Sequence, residues 1–540
     1  MPATELSANE SSQKAVRCAT RLIAANPQKF SLPEVREVRK MLSPAKASKV
    51  LTEIEVGTPH QFVVAGAGEL VAATCQFVGE HVFVFVEDRQ WDTNGGSILQ
   101  SHVDVLGELF DQSTPVDDSK GFFELCTGVF GDPPDVDGYE RIFLLILDIP
   151  DPRFVGFFDA RVAEHEVPEL RRDILYVDAM FVRRQAYLAR GTVAHELQHL
   201  IHWGHDEDEE VWLNEGLSGY AEELTGFPEA DPTVVEAFLQ RPGIGLTEWE
   251  NQPYHYGSSY LFSSFLAERY GHDLIRTIVA ESRNGRGGID AAFSTTGFSE
   301  TFKDVWSQWV LGNYASEDEK LTYSALKGRR VVSFPVERLP LEKVEGVVEG
   351  QWGTITILLR TPGSVVVEFF GDEASRYEVW TYAMGHNGTE LQSVDLDDSN
   401  VGSVLVTEID SVAVIIGRTS LSSGNFEISA RQLTPTIAGT TFSEEALLSQ
   451  KAAFPNPFNA IVNIPIISTD ETVEFEVYNA VGQLVRTLRK PVLDARVVVW
   501  DGRDDDGGQV ASGVYTIAKA TEKSLSGLDA SEYTRVTLLR

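Results

Sequence analysis

His195-Glu196-Leu197-Gln198-His199, followed by Trp212-Leu213-Asn214-Glu215-Gly216-Leu217-Ser218, decides how this 540-residue chain is read. Two histidines four apart on a helix lie on one face, about one turn from each other, so both imidazoles can reach one metal ion. Glu196 between them is left to handle a proton. A glutamate from a second helix completes three protein ligands and leaves the fourth position to water. That is the layout of a catalytic zinc site rather than a closed structural one, and it points to hydrolysis of a carbonyl by metal-activated water.

Helical spacing puts Val193, Ala194, Leu197, Leu200 and Ile201 on one apolar stripe, with His195 and His199 opposite. The helix is therefore expected to pack one face into a core and offer both imidazoles to a cleft. Upstream, 62–64, 71–74, 81–86, 141–147 and 174–177 read as strands. Downstream, helices are expected over Val211–Leu224, Thr233–Leu239, Tyr256–Arg269 and Ile275–Glu281. Two amphipathic helices are expected near 15–25 and 33–41.

Beyond about Tyr323 the pattern turns to short strands between turn residues, as in a β-sandwich. Residues 431–448 read as a linker, and a last short-strand module runs to Arg540. The expected domains are an N-terminal or propeptide-like region (1–54), a metal-site domain (55–325), a β-sandwich (330–435) and a C-terminal module (449–540).

A formal charge of −36 argues against nucleic acid and anionic membranes as partners. It suits a soluble protein in a salty or extracellular setting, and equally an ordinary acidic surface. No run of eighteen apolar residues suggests a membrane-spanning helix. Of the three cysteines, Cys18, Cys75 and Cys126, the last two can pair in an oxidising compartment or stay as buried thiols. Met1–Glu5 has neither the basic nor the apolar region of a signal peptide. Asp501–Asp506 raises structural calcium, against which stands the commoner polar hairpin turn.

Three residues compete as third ligand. His205 has the offset used by metzincins, but their glycine position is His202 here and no Met-turn methionine follows. Asp206 belongs to the acidic run Asp206–Glu210, read as a solvated loop or helix start. Glu215, in an amphipathic segment with Tyr220 and Glu222, is preferred. His195–His199 with Asn214-Glu215 resembles the gluzincin metallopeptidases, which include the thermolysin and aminopeptidase N families. The fuller resemblance, over about 55–315, is to hyicolysin-type secreted metallopeptidases. It rests on Glu80–Val86, Asp173–Asp178 and Tyr256–Phe262.

The resemblance implies an α+β zincin-like domain followed by two all-β, immunoglobulin-like sandwiches. It implies one zinc ion on His195, His199 and Glu215, with Glu196 as general base. Pro253-Tyr254-His255-Tyr256-Gly257 is similar to the segment where aminopeptidase N relatives carry a catalytic tyrosine. Tyr254 is thus the candidate oxyanion donor, with His255, Tyr256 and plain aromatic packing as rivals. Where thermolysin has an orienting aspartate, four residues after the ligand glutamate, this chain has Gly219, so the group that orients the ligand histidine must be a different one. No Gly-x-Met-Glu-Asn amine-binding stretch is present, which favours an endopeptidase acting on proteins or peptides.

The last module carries Ala453-Phe454-Pro455-Asn456-Pro457, Gly482–Leu488, Trp500–Asp504 and Ala511–Tyr515. It resembles the type IX secretion C-terminal sorting domain and its flagellar hook-cap-like immunoglobulin relatives. That implies the type IX machinery as partner and a secreted or surface location. Since such export begins with a signal peptide, either the true N-terminus is expected upstream of Met1 or the start is misassigned; the alternative is that the module is a plain structural sandwich and the protein stays inside. A non-catalytic surface or adhesion protein is the rival reading; the intact Glu196 speaks against it, because a binding-only zinc site has no use for that base.

Overall fold

A run such as Val82-Phe83-Val84-Phe85-Val86 has no polar side, so it can only be a strand covered on both faces. The computed structural model bears this out. Val82, Val84 and Val86 pack on one layer of core, while Phe83 and Phe85 pack on another. The structure describes residues 16–33, 53–228, 233–326, 328–336, 339, 341–386, 388–421, 424–433, 462–465, 472–480, 482–491, 497–519 and 533–538. The chain divides into two compact units, 1–434 and 435–540.

The first unit opens with a mixed seven-stranded sheet. Its strands are β1 (Val16–Cys18), β2 (Pro59–Phe62), β3 (Val71–Val78), β4 (Val82–Glu87), β5 (Ile142–Leu147), β6 (Phe154–Phe158) and β7 (Ile174–Asp178). The order is β1-β6-β7-β5-β4-β3-β2. β4, β5 and β7 run parallel, β6 lies antiparallel on β7, and β1 lies parallel on β6. The helices are α1 (Thr20–Ala25), α2 (Gln100–Asp111), α3 (Phe122–Phe130), α4 (Ala160–Ala163), α5 (Ala179–Arg184), α6 (Ala186–His205), α7 (Val211–Leu224), α8 (Thr233–Leu239), α9 (Pro253–Tyr270), α10 (His272–Val279), α11 (Gly285–Thr296) and α12 (Phe302–Tyr314).

Helix α6 lies across β6 and β7. Gly156 permits that approach: a Cβ there would come within 2.6 Å of Thr192 Cγ2 and 2.7 Å of the Tyr176 carbonyl oxygen. Asp178 closes β7 and caps α5, its Oδ1 accepting from the Met180 and Phe181 amides at 2.9 and 3.3 Å.

Strands β8 (Phe334–Val336), β9 (Leu341–Val347), β10 (Thr354–Leu359), β11 (Gly363–Gly371), β12 (Tyr377–Gly385), β13 (Gly388–Ser393), β14 (Val401–Ile409), β15 (Ser411–Arg418) and β16 (Asn425–Leu433) form two sheets, β13-β12-β15-β10-β8 and β14-β11-β16-β9. They close over an apolar core of their own. The outer face of the first sheet joins the helical core: Trp306 of α12 packs edge-on to Trp352 and tilted against Trp380, and donates its indole N–H to the Trp352 carbonyl at 2.9 Å. The change of pattern near residue 325 is thus a change of architecture inside one compact unit.

The second unit has a two-stranded sheet, β17 (Val462–Pro465) with β20 (Val497–Trp500). A four-stranded sheet of β18 (Thr472–Tyr478), β19 (Leu484–Pro491), β21 (Gly513–Lys519) and β22 (Tyr533–Leu538) accompanies it in the order β19-β18-β21-β22. Trp500, Phe475, Tyr515 and Val536 fill the core between them. The Asp501–Asp506 run is a polar turn: Asp501, Asp504 and Asp505 accept from the backbone amides of Arg503, Gly508 and Thr487.

Several expectations change. Residues 15–25 are not one helix: Val16–Cys18 is a strand, because the edge of β6 offers its backbone partners, and the helix begins at Thr20. The helix expected over 33–41 falls, apart from Pro33, outside the described residues, as do 434–448 and Ala453–Pro457. Arg431–Leu433 is not linker but the end of β16. Cys75 and Cys126 do not pair; both are free buried thiols. No helix among the described residues is long and apolar enough to cross a membrane.

Candidate metal centre

Helix α6 is buried on every side from Gly191 to His202, not on one stripe alone. The His195 and His199 imidazoles are buried against other protein groups, and His199 also lines a cleft. Helix α7 packs beside α6 and brings Asn214, Glu215, Ser218 and Glu222 towards it. His195 Nε2 stands 3.3 Å from Glu215 Oε2, and His199 Nε2 stands 3.7 Å from the same oxygen. His195, His199 and Glu215 are each at most 2% exposed.

The other nitrogen of each ring is engaged. His195 Nδ1–H donates to Glu222 Oε1 at 2.8 Å, and His199 Nδ1–H donates to Asn214 Oδ1 at 2.5 Å, with the Ser218 hydroxyl 3.1 Å from the same nitrogen. Those bonds orient both rings and turn both Nε2 atoms towards Glu215, where a metal ion would take the place of a proton. Glu222 therefore fills the orienting role for which Gly219 is unsuited. It lies seven residues after Glu215, two turns along the same face, so helical spacing alone could have found it.

The residues present fit a metal ion. Glu215 Oε1 is buried with no hydrogen-bond partner, a costly arrangement that a cation would relieve. A tetrahedral ion with bonds of about 2.1 Å has ligand-to-ligand edges of about 3.4 Å, and the separations above match. Burial pushes the Glu215 carboxyl up, but the His199 and His195 imidazoles outweigh it and hold the group well below the usual carboxylate range. Burial pushes His199 down, and the Glu215 carboxylate more than reverses this.

Glu196 projects beside this group. It is fully buried, its Oε1 has no partner, and burial lifts its carboxyl to about 7. Its Oε2 accepts from the Thr20 hydroxyl at 2.9 Å. Cys18, just before α1, places Sγ 3.3 Å from His199 Nε2 and 3.7 Å from Glu196 Oε2. One donor atom each from Cys18, His195, His199 and Glu215 lies within 4.8 Å of all the others. Burial, then the Glu196 and Glu215 carboxylates, push the Cys18 thiol well up. A cleft of about 320 Å³ opens beside His199, lined by Thr20, Arg21, Phe158, Trp203 and Asn214 among others.

The rival ligands lie elsewhere. His205 is exposed, its Nε2 donating to the Asp132 carbonyl at 3.0 Å. Asp206 and Glu209 are buried rather than solvated and converge on His202. The Gln198 amide reaches His202 Nδ1 at 3.3 Å, which assigns the ring proton to Nε2 and leaves no lone pair facing the carboxylates. Asp135, Asp137 and Asp173 also cluster, but Arg172 stands 3.8 Å from Asp137 and supplies a positive charge. The contacts described for Tyr254 are with the Arg241 guanidinium, 4.7 Å from its ring, and with His255; none joins it to the four clustered residues.

Residues 461–524 match the family described as FlgD Ig-like domain, within the C-terminal module. None of the curated proteins compared with this chain matches it. Among solved structures, the pre-peptidase C-terminal domain of a Bacillus anthracis collagenase is 8% identical, covering 19% of this chain and 99% of that one at a TM-score of 0.17. PorZ, a surface component of the type IX secretion system of Porphyromonas gingivalis, is 21% identical at a TM-score of 0.14. The match takes in 22% of this chain and 14% of PorZ. The BSP domain of a biofilm-associated protein is 10% identical, covering 33% and 45% of the two chains at 0.13. At these TM-scores none of the three bears on the site.

Proposed function

We propose that this chain is a zinc-dependent endopeptidase of the gluzincin type, hyicolysin-like, with the metal on His195, His199 and Glu215 and Glu196 as the general base. The observation that carries the reading is the convergence of two oriented imidazoles and a half-satisfied carboxylate in one buried spot, with a second carboxylate beside it that also keeps one oxygen without a partner. What zinc supplies there, when bound, is Lewis acidity towards a carbonyl oxygen and water with a pKa of ~7.

Glu196 takes the proton from the attacking water at Oε1 and delivers it to the leaving amine. Oε1 has no partner in the buried site, so it is the oxygen open to a water's proton. Glu222 and Asn214 hold the two rings in register as charge develops. The second donor for the oxyanion is Tyr254, on the similarity of Pro253–Gly257 alone. Release to the outside or the cell surface through type IX machinery belongs to the same reading and rests on the C-terminal module's sequence resemblance.

The test is casein hydrolysis by the full chain and by Glu196→Gln, with and without chelator. Because Cys18 stands against His199, the assay is run on Cys18→Ser as well. Chelator-sensitive hydrolysis that fails in Glu196→Gln is expected. One equivalent of bound zinc with no hydrolysis by either chain would favour the non-catalytic surface protein instead.

A further inference from the structure

We propose that the segment Val16–Thr20 is a built-in inhibitory strand, which closes the metal site with the Cys18 sulfur as fourth ligand and binds the Glu196 carboxylate through Thr20. The inference rests on the metal reading above and adds to it a latent state.

The fourth position around His195, His199 and Glu215 is the one a hydrolase must keep for water and substrate. Cys18 Sγ is in that place, 3.3 Å from His199 Nε2, and the four donors fall within 4.8 Å of one another. Coordination forms one sulfur–metal bond as the S–H bond gives its proton to solvent, with no change of oxidation state. The outcome is a filled four-coordinate site, which is the structural type and not the catalytic one. A thiol also offers nothing to cleave, unlike a peptide carbonyl.

Thr20 completes the closure. Its hydroxyl donates to Glu196 Oε2 at 2.9 Å and accepts from the Phe158 amide at 2.8 Å, tying the base to the edge of the sheet. The backbone holds the segment in place. Val16 pairs with Phe154 and Cys18 with Gly156, and the Ala19 amide donates to the Gly156 carbonyl at 3.0 Å. Without β1, strand β6 would be the open edge of the seven-stranded sheet. An open edge beside a reactive centre is where an extended peptide adds as an extra strand. Segment and substrate thus compete for one edge, and with the segment in place His195, Glu196, His199 and Glu215 are at most 2% exposed.

X-ray absorption on the zinc-loaded full chain reads the ligand set directly. One sulfur neighbour at about 2.3 Å is expected in the wild type and in Cys75→Ser, and none in Cys18→Ser. Casein hydrolysis by Cys18→Ser and Cys18→Ala is expected to exceed wild type by roughly tenfold or more, since the open form is otherwise a minor population. If Cys18→Ser does not fold, sulfur-to-metal charge-transfer absorption of the cobalt-substituted wild type gives the same answer. Bound zinc with only nitrogen and oxygen neighbours in the wild type, or equal rates in wild type and Cys18→Ser, would overturn the inhibitory strand while leaving the metal centre standing. No bound zinc at all would overturn both.

Discussion

The two ends of helix α6 carry the same residue types and come to opposite uses. At His195 and His199, each Nδ1 donates to an acceptor on α7, so each Nε2 is turned towards Glu215. One turn further, His202 meets Asp206 and Glu209, yet its Nδ1 accepts from Gln198 and burial drops its pKa to about 3. His205 turns out to the Asp132 carbonyl. Four histidines within eleven residues are therefore sorted by their second hydrogen bonds and not by spacing.

The largest effect that would break this contrast is at the base. Glu196→Gln should lower the hydrolysis rate by ~10²–10⁴ while zinc content, measured by metal analysis, stays at the wild-type level. Next, Glu222→Gln should weaken zinc binding by ~10–100-fold in a competition titration, because the His195 ring loses its orienting charge. A weaker effect there than in His202→Gln would reverse the assignment. His202→Gln should leave zinc affinity within about threefold and lower stability by ~1–3 kcal/mol in a denaturant melt, because the buried Gln198 amide loses its ring acceptor.

The Asp135–Asp137–Asp173 group, away from the helix, sharpens the comparison through pH. Burial lifts the Asp173 carboxyl to about 7, so the fold holds that proton more tightly than the unfolded chain does. Its stabilising contribution is fully present below about pH 4 and is lost as pH rises towards 7. Asp173→Asn should flatten the fall of Tm between pH 4 and 8, gaining roughly 2–4 kcal/mol relative to wild type at the upper end. The smallest effect is expected at His205→Ala, within ~0.5 kcal/mol of wild type in stability and with zinc retained.

Much of the fold was open to reading. The purely apolar runs at 82–86 and 142–147 admitted only buried strands, and α7 and α8 fall where periodicity put them. Phe154–Phe158 was missed, although a short apolar run between Arg153 and Asp159 carries the mark of a buried strand. At the site, His195, Glu196 and His199 follow from helical spacing, and Glu215 from the amphipathic segment and the gluzincin-like string that holds it. Cys18 does not, because its meeting with Glu196 and His199 spans 178 and 181 residues of sequence and is made by strand pairing on β6. The same pairing overrode the helix expected at 15–25. Tyr254 rested on local similarity, and the structure turns its ring to Arg241.

The metal centre itself is tested most directly by zinc content after dialysis of the full chain, Glu215→Ala and His205→Ala. One equivalent in the wild type and in His205→Ala, with none in Glu215→Ala, is the predicted result. Zinc kept by Glu215→Ala and lost from His205→Ala, or no zinc in the wild type, would contradict it.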